Sequence, residues 1–335
     1  MATSVVYAQQ DAQWSHFQFN QQYYNPGYVG LDQTTRATLL HRTQWLGYET
    51  TIVDDQKGGA PSQQEIALMQ PIRIKSKAIN SGIGLIFNND RLGPWKKQDL
   101  KLDYSYHYKP RIGGTFGLGL RAGFQIQSMD GSILRATDDD DQIVDYFKSN
   151  NVRQTKPDLG LGVYYNSTKF YVSASIAHLV RSSFDFKSDS ALKSNSLLAR
   201  NLWLGGGYNI IFSRLVITPA AHYQSDFNHS SYNLGVLAQI SNYKYWFGVN
   251  FRQSFVNQSV DNNGGKQIIS DDLVFLVGTS FLKNNALRVG YAFDLVTSGL
   301  GAKSGTSHEV MLSYAVPALF APKKNPIKDP RYRHE

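Results

Sequence analysis

The chain has 335 residues, of which 41% are hydrophobic, 13% aromatic and only 18% charged, a composition that excludes a disordered chain or a long coiled coil. Its 34 Lys and Arg against 26 Asp and Glu leave a net charge of +8, spread along the sequence, whereas nucleic-acid binding needs cations gathered on one face. With no Cys there is no disulfide framework, thiolate metal site or cysteine nucleophile. No run approaches the roughly 20 apolar residues of a membrane-spanning helix, but a transmembrane β-barrel stays open because its signal lies in short alternating segments.

Residues 1–8 read either as the end of a secretory leader cleaved after Ala8 or as an initiator peptide without a targeting role. Residues 9–35 form an aromatic- and amide-rich segment, with Asn25, Pro26, Gly27 and Gly30 as breakers. From Arg36 onward two-residue alternation dominates. Between Thr115 and Gln125, Phe116, Leu118, Leu120, Ala122 and Phe124 share one face, and Gly117, Gly119, Gly123 and Arg121 the other. A helix would mix these sets, so the pattern is that of a strand. Lys101 to Lys109, Tyr245 to Arg252 and Leu287 to Asp294 repeat it.

Extended along the chain, the alternation predicts 14 strands between Arg36 and Val316, most of them near the 9 to 11 residues that a tilted strand needs to cross a bilayer. The links after even strands are short, such as Asn166 to Lys169. Those after odd strands are usually longer, as at Gln44 to Pro61, Ile126 to Thr155, Leu179 to Ala199, Ser254 to Ile269 and Val296 to Thr306. A soluble sandwich has no need of that parity, whereas an outer-membrane barrel has short periplasmic turns and longer external loops. The fold class is therefore all-β, a transmembrane outer-membrane barrel of 14 antiparallel strands over residues 36–316, followed by a Pro/Lys-rich tail at 317–335. Both termini are expected in the periplasm. A short helix is expected at Gln142 to Lys148.

Chemistry is thinly signalled. His308 and Glu309 begin a zinc-helix pattern, but Leu312 stands where the second His would be and the surroundings alternate as a strand. The eight His residues read as hydrogen-bonding or interfacial side chains. Asp138 to Asp141, with Asp145, read as a solvated acidic loop lacking the calcium-loop glycine and terminal Glu. No nucleophile elbow is present, so no catalytic residue, metal ligand or cofactor is expected. Trp14, Phe17, Phe19, Tyr23, Tyr24, Asn25 and Tyr28 crowd ahead of the first strand. They are expected to dock inside the lumen or at its periplasmic mouth, as a plug or as a partner contact. The inward small residues Gly117, Gly119, Gly160, Gly162, Gly205 and Gly207 would leave room for them.

Asp11 to Gly30, Arg42 to Tyr48, Gly82 to Trp95 and Tyr291 to Pro317, with the short basic tail, resemble the motifs of the PorP/SprF family of Bacteroidota outer-membrane proteins. The resemblance implies a barrel of the type IX secretion and gliding machinery that assists secretion or surface attachment of a large adhesin through protein contacts, without catalysis. By motif it carries over Phe19, Asn20, Tyr24, Asn25, Pro26, Gly30, Gln44 and Trp45 near the start. Near the end it carries over Asp294, Ser298, Gly299, Ser307, His308 and Glu309. Gly27 stands where the family pattern has Ala, a departure read as harmless. The implied partners are type IX secretion or gliding components, including a periplasmic peptidoglycan-binding protein and the ring complex, the C-terminal signal domain of a cognate adhesin, and outer-membrane lipid; nucleic acid is not among them. Two alternatives stay open: a channel for small or hydrophobic solutes, and a structural anchor for a periplasmic complex.

Overall fold

The computed structural model describes residues 11–317 apart from 46–49, 52–56, 59, 74–78, 112, 135–143, 145–146, 149–151, 188–192, 242, 261–265 and 298–305. The alternating segments form β1 Thr34–Thr43, β2 Ser62–Arg73, β3 Ile79–Leu92, β4 Trp95–Tyr108, β5 Thr115–Met129, β6 Val152–Asn166 and β7 Phe170–Ala177. The second half supplies β8 Asn201–Tyr208, β9 Leu215–Ser225, β10 His229–Ile240, β11 Tyr245–Val260, β12 Lys266–Phe281, β13 Leu287–Val296 and β14 Ser307–Pro317. Each strand pairs antiparallel with the next. β1 also pairs with β14, from Thr34 opposite Pro317 to Thr43 opposite His308, so the 14-stranded sheet closes on itself. Closure leaves no unpaired edge, as hydrocarbon demands of any spanning sheet.

The faces follow the sequence parity. Leu118, Leu120 and Phe124 stand outside, 53%, 57% and 55% exposed, while Arg121 and Gln125, of the opposite parity, are buried in the lumen. An aliphatic and aromatic band, including Leu102, Val172, Leu234 and Phe247, continues around the wall. Leu118→Arg is expected to cost about 2 to 4 kcal/mol if it lies near the bilayer midplane. Urea unfolding in reconstituted bilayers checks this, and an unchanged midpoint would reverse the face assignment.

The strands run further than the alternation alone predicts. β4 begins at Trp95, where the apolar pattern suggests Asp99; β11 continues to Val260 and β12 starts at Lys266, which reduces the expected Ser254 to Ile269 loop to residues 261–265. The ladder of β5 and β6 persists to Met129 opposite Val152. These extensions lack a continuous apolar face, so backbone pairing holds them where side-chain patterning is silent. β7 stops one residue short of the expected end because His178 takes a left-handed backbone, φ 58. The link after β7 carries its own hairpin, Ser183–Lys187 with Lys193–Leu197. The expected acidic loop and most of the expected helix at 142–148 lie outside the described residues.

Candidate functional site: the occupied lumen

Residues 11–33 run inside the barrel. A short helix, Gln21–Tyr24, is followed by a 3-10 turn, Pro26–Tyr28, and Asn25 joins the two. The Asn25 side-chain oxygen accepts from the Gly27 amide at 2.8 Å, and its Nδ2 donates to the Val163 and Ala174 carbonyls at 2.9 and 3.0 Å. An amide supplies donor and acceptor together, which neither Asp nor Leu does. Ser175 and Ser105 add hydroxyl donors to the Tyr24 and Gly27 carbonyls, at 2.5 and 3.0 Å.

This turn lies directly on the wall. A Cβ on Gly117 or Gly119 would collide with the Gly27 backbone, and one on Gly162 with Asn25. Gly160, Gly205 and Gly207 instead face other parts of the wall: the Ile176 carbonyl, Ser173 and the Tyr171 ring. Gly82, which patterning does not single out, meets the Val29 carbonyl. Gly27 is itself constrained, since an Ala Cβ there would sit 2.8 Å from the Gly117 oxygen. The departure at this position is therefore a close fit between two backbones. Gly30 has φ +78 and lies against Pro71 and Gly82, a conformation and a space that suit Gly alone.

Three ionic groups fix the rest. Arg121 holds Asp103 through two bonds of 2.6 and 2.9 Å and donates to the Tyr23 and Gln22 carbonyls, both at 2.7 Å. Glu309 accepts from the Ser15 and His16 amides at 2.7 and 2.9 Å and meets the His16 ring at 2.7 Å. Beside it, Asp294 accepts from the Ser15 hydroxyl at 2.8 Å and pairs with Arg42 at 2.7 Å and Arg252 at 3.3 Å. Asp11 pairs with Lys97 at 2.5 Å and with His178 at 2.9 Å, and His178 reaches Asp158 at 3.0 Å on its other nitrogen.

Aromatic packing closes the side opposite Arg121. Trp14, Phe17, Tyr23 and Tyr24 are buried with Trp203 and Trp246, Tyr24 lies 4.3 Å from the His222 ring, and Phe19 lies 5.2 Å from Trp246. Tyr28 is half-buried, 5.3 Å from Tyr164. Every aromatic residue singled out ahead of the first strand thus lies within the barrel, together with Asn20 and Pro26.

The segment threads the lumen lengthwise. Gly30 lies beside Pro71 and Gly82 near the short-link end, whereas Asp11 reaches Lys97, His178 and Gln224, all at the opposite end, where the long links lie. Pro317 pairs with Thr34 at the short-link end, so Asp11 and the end of the last strand lie at opposite ends of the barrel. Of the remaining motif positions, Gln44 donates its amide to the Pro61 carbonyl at 2.8 Å and Trp45, with φ 52, lies two residues beyond the first strand. Ser307 faces inward, whereas His308 faces outward and bonds Tyr291 at 2.5 Å and Thr306 at 2.9 Å. Ser298 and Gly299 lie outside the described residues. Among the described residues no three His, Asp or Glu side chains converge as metal ligands.

Patterning marks Arg121, Arg252 and Asp294 as inward but not whom they meet, and it passes over Asp11, Ser15, His16, Arg42, Lys97, Asp103, Asp158 and His178 as anchors. For Arg42, Lys97, Asp103 and Asp158 the advance signal is charge at an inward strand position, whereas Asp11, Ser15 and His16 lie ahead of the first strand and His178 just beyond the seventh. Pairing adds the rest.

The family model for the type IX secretion system membrane protein PorP/SprF matches residues 6–314. The chain belongs to the PorP/SprF family. This is a family of secretion-associated membrane proteins, not of enzymes, and with its closed spanning barrel the chain is an outer-membrane protein. Among curated proteins, none matches the chain. Of solved structures, it is similar to a Pseudomonas aeruginosa FadL homologue, at 10% identity over 88% of this chain and 92% of that chain, with a TM-score of 0.50. A deletion mutant of the monoaromatic hydrocarbon channel TodX has 10% identity over 85% and 90%, also with a TM-score of 0.50. At such identity the likeness is one of barrel fold. The PorP/SprF chain differs from an open pore in what its N-terminal segment does to the lumen.

The Asp11 contact gives that segment a pH dependence. Burial works to raise the Asp11 carboxyl, but Lys97 and His178 outweigh it and hold it well below the usual range. Burial works to lower His178, and its two carboxylate partners raise it above an ordinary imidazole. The Asp11 contribution is present above the ordinary carboxylate pKa and is lost as pH falls through the lowered one. The His178 contribution is present below the ordinary imidazole pKa and is lost as pH rises through the raised one. The urea-midpoint gap between wild type and His178→Gln is therefore expected to be widest in mildly acidic solution and to close on going alkaline. A gap that stays flat from about pH 5 to about pH 10 would remove the charged contact.

Proposed function

We propose that this barrel serves the type IX secretion and gliding machinery by protein contact, assisting the secretion or surface attachment of a large adhesin, with its lumen closed by residues 11–33. The observation that carries the reading is the anchoring of that segment on several sides of the lumen, by Arg121, Glu309, Lys97 and the glycine floor. A solute channel would have to break several buried ion pairs to open, each with a charge left uncompensated. The aromatic segment then acts as a plug, and the partner surfaces are the rims. In this reading the short-link rim faces the periplasm, where the ring complex and a peptidoglycan-binding protein would meet it. The long links face outward, where the adhesin's C-terminal signal domain would be delivered.

The test is co-purification of the native protein from mildly solubilised outer membranes with mass spectrometry of what accompanies it, alongside adhesin display in a strain lacking the gene. Type IX components in the eluate and at least a tenfold loss of surface adhesin are expected. Normal adhesin display together with loss of a small-molecule uptake activity would replace this reading with the channel.

A further inference from the structure

The outer wall at the long-link end of β3 to β6 carries a chemical gradient that secretion does not require. Antiparallel register places Arg91 opposite Lys96, Lys96 opposite Ser128 and Ser128 opposite Arg153. All four share the outward parity of Leu100 and Phe124, and the three cations are exposed. Two residues nearer the apolar band, the next row holds Gln64, Asn89 and Gln98, which bond one another: Asn89 Nδ2 to the Gln64 oxygen at 2.5 Å and Gln98 Nε2 to the Asn89 oxygen at 3.2 Å. Two residues further come Ile66, Phe87, Leu100 and Phe124. Cation, amide and hydrocarbon thus succeed one another at about 7 Å per row, the length of two strand residues.

Above these rows lie described residues of the link after β5. Asp130, Ser132 and Lys148 roof a groove of about 750 Å³ over Arg91 and Lys96, a size that holds a small sugar. The Asp130 carboxylate is engaged by the Ser132 amide and hydroxyl, at 3.1 and 2.6 Å. None of Arg91, Lys96, Lys148 and Arg153 has a carboxylate partner among the described residues. On β9 to β12 the corresponding outward row reads Tyr223, Tyr232, Gln253, Asp271 and has no cation.

We propose that this groove and the wall beside it bind the phosphorylated sugar headgroup of an outer-leaflet glycolipid, with the phosphates on Arg91 and Lys96 in the groove and on Arg153, which continues their row next to it, and the acyl chains on the band below. Guanidinium pairs with phosphate through two parallel bonds, and the amide row meets the polar linkage between sugar and acyl chain. The assignment to the outer leaflet rests on the reading that the long links face outward.

The experiment uses the whole barrel in phosphatidylcholine nanodiscs doped with diphosphorylated lipid A, or with the same lipid dephosphorylated, and counts retained lipid by native mass spectrometry. Wild type is expected to keep the diphosphorylated form at least tenfold better. The Arg91→Gln, Lys96→Gln, Arg153→Gln variant should lose that preference, and Lys169→Gln with Lys244→Gln, on exposed short links, should keep it. Retention by the triple variant, loss in the short-link variant or no phosphate preference in wild type would each overturn the site. Orientation is read separately on intact cells. In a chain without native Cys, Val180→Cys should react with an impermeant maleimide and Thr168→Cys only after permeabilisation. The reverse labelling would overturn the outer-leaflet assignment together with the orientation, whereas the nanodisc result does not depend on orientation.

Discussion

Gly119→Val is expected to drive the N-terminal segment out of the lumen while the barrel still forms. A side chain at 119 would meet the Gly27 nitrogen and the Pro26 carbonyl carbon. Both are backbone atoms, within a turn tied to the wall at Ser105, Val163, Ala174 and Ser175. No rotamer relieves that overlap. Overpacking of a fitted interior costs about 1 to 3 kcal/mol and occasionally more, and with backbone on both sides of the contact the upper part of that range applies. The wall has an easier response than bending, because its own ladder pairs Gly119 with Gly162 and Ser105 whether or not the segment is present. Chymotrypsin cleavage at Tyr23 or Tyr24 of the folded, heat-modifiable barrel is therefore expected to accelerate at least tenfold. Leu118→Val, one residue away on the lipid face, should leave it unchanged. A Gly119→Val barrel that protects the segment as well as wild type does would contradict the close approach.

What can be read in advance divides by the range of the interaction that decides it. Alternation within one strand needs only the pleat, so the outward set Leu102, Tyr104, Tyr106, Tyr108 and the inward set Lys101, Asp103, Ser105, His107 are legible from eight consecutive residues. Loop parity is legible for the same reason. Strand tips are not: Trp95 to Gln98 and Gln253 to Val260 lack the apolar face that marks a strand, and only the partner strand keeps them extended. The plug is half legible. Aromatic crowding and the breakers at Asn25 to Gly27 announce a segment that docks, and the inward glycines announce space. The choice between mouth and lumen rests on contacts such as Ser15 with Glu309 or Asp11 with His178, which join residues more than 160 positions apart. Glu309 and Asp294 stand out by family motif, yet their work is set by Arg42 and Arg252 on two other strands. No spacing rule connects those positions before the barrel has closed.

Arg121→Met is expected to be among the most damaging single substitutions, for reasons that separate into two measurable parts. The guanidinium is buried, neutralises Asp103, and uses its remaining donors on the Gln22 and Tyr23 carbonyls. Removing it leaves a buried carboxylate without its cation, a loss of about 3 to 5 kcal/mol. It also strands two carbonyls at the end of the only helix in the segment, where the last turn has no intrahelical partner for them. Asp103→Leu combined with Arg121→Met takes away the uncompensated charge but not the stranded carbonyls. The double variant should therefore recover a large part of the unfolding free energy while its segment remains easier to cleave than wild type. Unfolding in urea reports the first quantity and protease protection the second. If the double variant were no more stable than Arg121→Met alone, the Asp103 pair would not be the main cost. If it protected the segment fully, the bonds to Gln22 and Tyr23 would not be what holds the plug, and its retention would rest on the Glu309 and Asp11 anchors.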